Sequence, residues 1–476
     1  MKFIWTKKLV YILIIFYLIV FGIGWVLFKD NFIDFNWSFL QLLVIVFFAF
    51  GGILFFYQTK AFSEKKFIRY IFIWSLLIKV IIVFFNYYIF DAVNGFPFIM
   101  HSDSFAYNEW GQQAAHGFSK GIFNAFKIFP NSDLSDMGGK FYYGIIYFLF
   151  GSFGNKIIIA RIFNALFASL TVIYFYKTLR FVSESDVART SAILFLFFPL
   201  FNLYAGTHYK ESIFLFFIML AAFESYKIFF VRHYSFIDLT GLFFAITASF
   251  FFRTVMGPVL FFSLLGFVLF NIKQKFSFSF GVSFIIIFVV LLFVYQNLFR
   301  SETEQFAESG TTYSEKVVAQ AKRNTGNKFS FGQLINAPFM FVATLPAPLP
   351  TIVVTNKHED NRDFGLNTYL SSAFIKIFLS FWVLFGIYFT LRKRFKQNSY
   401  ILLFFFAYYT IIVISGNGFI IRYVMPMLPF FIYFAVIGIK NFKRYLSVFM
   451  LFLLVIIFVI IYYNYMKLNA FGIIVT

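Results

Sequence analysis

The residues able to do chemistry in this chain are few, and each group lies beside an apolar run. The densest is His101-Ser-Asp-Ser-Phe-Ala-Tyr-Asn-Glu-Trp110, which places two carboxylates, a histidine and several aromatics just past a hydrophobic stretch. Good helix formers follow its Ser-Asp-Ser start, so Ser102 or Asp103 is expected to cap a short surface helix. Asp103 and Tyr107 then share one face, and the helix dipole favours the ionised aspartate. A plain N-cap is the equally weighted alternative. His101 and Glu109 belong to the same polar surface. A second spot, His208-Tyr-Lys-Glu211, makes up a tight turn between two apolar runs, where Lys210 and Glu211 either pair and snorkel or converge on a headgroup. Arg253 and Arg422 are single arginines in two further short turns. A guanidinium's rigid fork suits bidentate contact with phosphate, so these two point to an anionic lipid headgroup or pyrophosphate, with ordinary phospholipid as the bland alternative.

These groups must be held by membrane helices. Of 476 residues 61% are hydrophobic and 13% charged, and apolar runs of membrane-crossing length recur along the whole chain. The expected fold is an all-α polytopic membrane protein, a single transmembrane domain over residues 1–476. Thirteen spans are expected, at about 9–28, 38–57, 70–90, 157–176, 189–206, 212–230, 236–252, 255–271, 276–299, 369–390, 400–416, 424–439 and 446–465. Two long extracytoplasmic loops, 91–156 and 300–368, carry short interfacial helices. Within the first, 141–153 is apolar but too short to span. In the second, prolines in Leu345-Pro-Ala-Pro-Leu-Pro350 oppose a spanning helix.

Charge orients this arrangement. The net charge is +20, and the expected spans put 21 of the 40 Lys and Arg with only 5 of the 20 acids on the side of the amino terminus. The opposite side holds 17 bases against 15 acids. That asymmetry is the positive-inside pattern, which places the amino terminus in the cytoplasm and both long loops outside; it is not a nucleic-acid footprint. The first span, after Lys7 and Lys8, lacks a small-residue cleavage site and reads as a retained anchor. Lys79 is the one ionisable group near the middle of a span and is expected to face the interior. Glu224 and Lys227 read as an ordinary pair within one helix.

Several chemistries are excluded. With no cysteine there are no disulfides or thiolate metal ligands. No Gly-rich nucleotide loop occurs, and the five histidines show no metal-binding spacing. An activated sugar used here would have to arrive already attached to a lipid. The 84 phenylalanines read as lipid-compatible filler.

Asp103-Ser-Phe-Ala-Tyr107 followed by Gly117 resembles the motif of the GT-C class of integral membrane glycosyltransferases, which includes protein mannosyltransferases and aminoarabinose transferases. Further pieces follow in that family's order: Tyr142-Tyr143 before Leu149-Phe-Gly151, Ala160-Arg-Ile-Phe-Asn164 leading to Tyr176 and Arg180, Glu211 in the second outer turn, and Arg422-Tyr-Val-Met-Pro-Met-Leu-Pro429. The resemblance covers residues 70–440. It implies an inverting transfer from a polyprenyl-phosphate-linked sugar donor to an acceptor lipid, glycan or protein at the extracytoplasmic face of the plasma (inner) membrane. Asp103 would act as general base, with Glu211 as the second catalytic acidic residue. His101, Tyr107, Glu109, Arg161, Lys210, Arg253, Arg422 and Tyr423 would bind substrate, the cations stabilising the departing phosphate. No organic cofactor is implied, and a divalent metal ion is left open, since Ser104 stands where the family often has a second acid. Two other readings compete. A polymerase or ligase of lipid-linked glycan repeats would lean on Arg and His, and a transporter or flippase of lipid-linked saccharides would show repeated halves, which the sequence lacks.

Overall fold

The computed structural model describes residues 4–33, 35–99, 103–121, 137–152, 154–230, 235–271, 342, 345–353, 364–414, 421–440 and 445–470. Those residues are helical almost throughout: α1 (Lys7–Leu27), α2 (Phe35–Thr59), α3 (Glu64–Asn94), α4 (Asp103–Ser119), α5 (Met137–Phe150), α6 (Lys156–Val182), α7 (Ser185–Phe197), α8 (Pro199–Ala205), α9 (Glu211–Phe230), α10 (Phe236–Phe252), α11 (Met256–Asn271), α12 (Phe364–Ile414), α13 (Ile421–Val424), α14 (Leu428–Lys440) and α15 (Leu446–Ala470). Eight of these helices are long and apolar enough to cross a membrane, or nine with the bent pair α7 and α8 taken as one span, so the chain is a multi-pass membrane protein. The expected span at 276–299 lies outside the described residues.

Local signals in the sequence set the helix ends. Ser63 caps α3, its side chain accepting from the Lys66 amide, and Gly95 ends that helix in the left-handed conformation at φ 74°. Asn155 caps α6 by accepting from the Ile157 and Ile158 amides. Ser235 and Asp238 form a reciprocal capping box at α10. Pro199 cannot donate a backbone hydrogen bond, and the chain bends by 57° where it begins α8. The apolar stretch expected at 141–153 is the body of α5, which packs against α4 through close contacts of Gly111 with Tyr143 and of Gly144 with Ala114.

Polar contacts sort the bundle into two ends. At one, Arg180 pairs with Glu64 at 3.2 Å, Arg189 donates to the carbonyls of Thr59 and Phe62, and Glu184 accepts from Arg394 at 2.9 Å and Lys440 at 2.7 Å. At the other lie Asp103, Lys210, Glu211, Arg253 and Arg422. This division determines how α12 runs. Ser371 bonds the Gln41 carbonyl near the start of α2, Arg394 reaches Glu184 at the far end, and Tyr408 returns to Arg253. The chain therefore doubles back at Arg394, the one residue of α12 with non-helical angles (φ −140°, ψ 29°). The two arms lie where spans at 369–390 and 400–416 were expected, as far as Ile414, and the basic run between them is a kink within one continuous helical stretch.

One arm of α12 packs against α14 through two glycines. A Cβ on Gly386 would overlap the Phe434 carbonyl, and one on Gly438 would overlap the Trp382 carbonyl. Such backbone approach is how helices gain dispersion contacts where lipid supplies no hydrophobic drive.

Buried lysines inside the bundle are satisfied locally. Lys79 donates to Ser75 Oγ at 2.8 Å and lies 4.8 Å from the Phe201 ring. Lys376 donates to the carbonyls of Leu345 (2.7 Å) and Ala347, while Asn464 binds the amide of Ile352 and the carbonyl of Pro350. The proline-rich segment is thus moored inside the bundle. Most of the 300–368 loop lies outside the described residues. The expected pairing of Lys227 with Glu224 gives way to one with Asp238 of the next helix at 2.5 Å, because the capping box aims that carboxylate at the lysine.

Candidate active site

Four separate parts of the chain bring charge to one end of the bundle. Asp103 opens α4, Lys210 and Glu211 close the turn after α8, Arg253 follows α10, and Arg422 lies on α13. Arg422 bridges the two carboxylates, its Nε 2.5 Å from Glu211 Oε1 and its Nη1 on Asp103 Oδ2. A second guanidinium, Arg253, stands 3.9 Å from the same Glu211 oxygen. The arginines that look isolated in sequence therefore share one acid.

The two acids differ in setting. The Glu211 side chain is 1% exposed, that of Asp103 57%, and that of Arg422 19%. Glu211 is a buried anchor, held by two cations because an unpaired carboxylate there would be strongly unfavourable. Asp103 is the half of the bridge that faces outward.

Lys210 completes the cationic wall. It donates to the Phe252 carbonyl at 2.8 Å and lies 5.7 Å from the ring of buried Tyr107. Burial and the neighbouring Arg253 push its ammonium down to about 7, against a smaller opposing pull from Glu211. Gly139 at the start of α5 makes room, since a Cβ there would stand 3.0 Å from the Tyr107 ring and 3.5 Å from Lys210. Burial raises the Tyr107 phenol well above its usual range, so it stays protonated.

Arg253 is aimed by Tyr408, to whose hydroxyl it donates at 2.8 Å, and that hydroxyl donates in turn to the Tyr423 carbonyl at 2.8 Å. The Tyr423 ring lies 4.8 Å from the Arg253 guanidinium. Tyr408 thus ties the chain segment bearing Arg422 to Arg253. The sequence offers no sign of this, because a tyrosine in an apolar span reads as an interfacial or packing residue.

Behind the charges is a buried polar lattice. Tyr147 donates to Asn108 Oδ1 at 2.8 Å and meets His208 Nε2 at 2.9 Å, which makes the imidazole the donor in that contact. The imidazole stacks on Tyr143 at 3.9 Å, and burial lowers its pKa well below the usual value, leaving it neutral. Asn164 donates to the Tyr143 hydroxyl and to the carbonyls of Thr207 and Tyr209, and accepts from Tyr142. These contacts fix the turn bearing Lys210 and Glu211 against α4 and α5. Of the other expected site residues, Arg161 is in this wall, donating to the Pro97 carbonyl beside Tyr87 and Phe98, and does not reach the carboxylates. Glu109 is exposed on α4 and forms no ion pair among the described residues. His101 lies outside them.

Both acids already accept from Arg422, so a cation would have to displace a guanidinium, and no three His, Asp or Glu converge among the described residues. What the arrangement can do is hold an anion between Arg253, Arg422 and Lys210 while presenting a carboxylate to a neighbouring group. No protein-family model matches the chain and no curated protein matches it in sequence, so the geometry of this site carries the functional reading.

Proposed function

We propose that the protein is a membrane glycosyltransferase that moves a sugar from a polyprenyl-phosphate donor to an acceptor hydroxyl, with inversion. The observation that carries this reading is the meeting of an outward aspartate with two arginines and a lysine at one end of an apolar bundle. The other end collects the arginine and lysine pairs expected of a cytoplasmic surface, which supports an amino terminus inside and a site outside; the reading keeps thirteen spans in the plasma (inner) membrane.

In this reading the donor's phosphate lies against Arg253, Arg422 and Lys210, whose charges stabilise the negative charge that grows on it as the glycosidic bond breaks. Asp103 takes the acceptor's proton on the opposite side of the sugar. Glu211 holds both arginines, and Tyr107 and Tyr423 form the aromatic floor beneath the cations.

Asp103→Asn tests the assignment. The amide keeps the shape of the side chain, so the variant is expected to insert and fold normally while sugar transfer from a lipid-linked donor falls by about 10²–10⁴-fold, the usual contribution of a general base. Wild-type transfer rates in that variant would remove Asp103 from the reaction.

A further inference from the structure

Arg422 occupies the carboxylate that the proposed reaction needs as a base. The guanidinium Nη1 sits on Asp103 Oδ2 and takes up a lone pair on the carboxylate that would receive the acceptor's proton. The bridge is also uneven. Its Glu211 half is buried at 2.5 Å with Arg253 alongside, whereas its Asp103 half is more than half exposed and competes with water.

We infer that Arg422 is a latch on Asp103 that the donor's phosphate opens; this rests on the glycosyl-transfer reading above. A phosphodiester offers two non-bridging oxygens to the guanidinium fork, while Arg253 and Lys210 draw the anion to the same place. Arg422 keeps its Nε on Glu211 and gives its outer nitrogens to the phosphate. Asp103 is then released only once a donor is in place.

The proton balance follows. Released Asp103 takes the acceptor's hydroxyl proton, the acceptor oxygen bonds the anomeric carbon, and the carbon–oxygen bond to phosphate breaks with its electron pair leaving on polyprenyl phosphate. When that product departs, Arg422 returns to Asp103, whose proton passes to water. In the absence of donor Arg422 stays on Asp103 Oδ2, so the base is engaged until a phosphate draws the guanidinium away.

Carbodiimide labelling of carboxylates, read by mass spectrometry on the full chain in phosphatidylcholine nanodiscs, tests this directly. Asp103 is expected to label slowly in phosphatidylcholine alone and about fivefold faster once polyprenyl phosphate is added. Neutral polyprenol is expected to leave the rate unchanged, and phosphatidylglycerol to raise it less than polyprenyl phosphate does, since its phosphodiester carries one negative charge where the monoester carries up to two. Arg422→Lys, whose single ammonium cannot straddle both acids, is expected to label fast from the outset. Retention of polyprenyl phosphate with unchanged Asp103 labelling would overturn the latch and leave the transfer reading standing. An equal response to phosphatidylglycerol would overturn its selectivity for donor, and failure to retain polyprenyl phosphate at all would sink both.

Discussion

Lys210 is the charge in this site most easily removed. Its ammonium is buried, bonded to a carbonyl and set beside Arg253, and its pKa falls to about 7. It is charged below that point and neutral above it, whereas a phosphodiester stays a monoanion throughout. Affinity for a lipid phosphodiester is therefore expected to fall as pH rises, on the order of tenfold between about pH 6 and about pH 8. Lys210→Met should bind weakly and without that slope; an unchanged slope in the variant would place the titrating group elsewhere. At this scale the sequence was informative where a charge stood beside apolar residues, as at Asp103, Lys210, Glu211, Arg253 and Arg422. It was silent on Tyr408 and Tyr147, because a buried hydroxyl takes its role from partners that the fold brings from far along the chain. Arg161, which the family resemblance put among the substrate-binding residues, donates to the Pro97 carbonyl, a contact that its place in the sequence does not reveal.

Among elements, the contact of α12 with α14 matters most, since these helices carry Tyr408 and follow directly from the Arg422 segment. Gly386 sits against the Phe434 backbone and Gly438 against the Trp382 backbone, with no room for a side chain. Gly386→Leu is expected to destabilise the protein by roughly 1–3 kcal/mol or more through overpacking, and to lower its thermal unfolding temperature in detergent. Gly22→Leu, where nothing lies within 4 Å, should leave that temperature nearly unchanged. Equal behaviour of the two variants would refute the packing argument. The apolar helices themselves were readable from hydropathy, and the two arms of α12 from the basic run between them. The bend at Phe198 was signalled by Pro199 but passed over, because a proline within an apolar run does not reveal whether the span bends or ends. Likewise the partner of Lys227 was misassigned, since helix spacing counts neighbours on one helix and cannot see Asp238 on the next.

For the whole molecule, the charged groups gather at the two ends of the bundle. Glu184, with a carboxyl held below its usual range by Lys440 and Arg394, clamps α14 and the α12 kink at the basic end. The chain has no cysteine, so single cysteines can be introduced without background. Lys65→Cys, exposed at the basic end, and Glu109→Cys, exposed on α4, should react with an impermeant maleimide from opposite sides of a sealed membrane, with Glu109→Cys outside. Labelling of both from one side would contradict the two-ended bundle.

Glu211 and its arginines are far apart in order of synthesis: the acid emerges from the ribosome before Arg253, and Arg422 arrives well over a hundred residues later still. Until then the nascent chain must carry an ill-matched carboxylate at the edge of the bilayer, a state costly enough to keep the early helices loosely docked. The charge cluster is thus completed only when the segment bearing Arg422 docks, and a chain halted before residue 421 should be recognised by membrane quality control as unfinished.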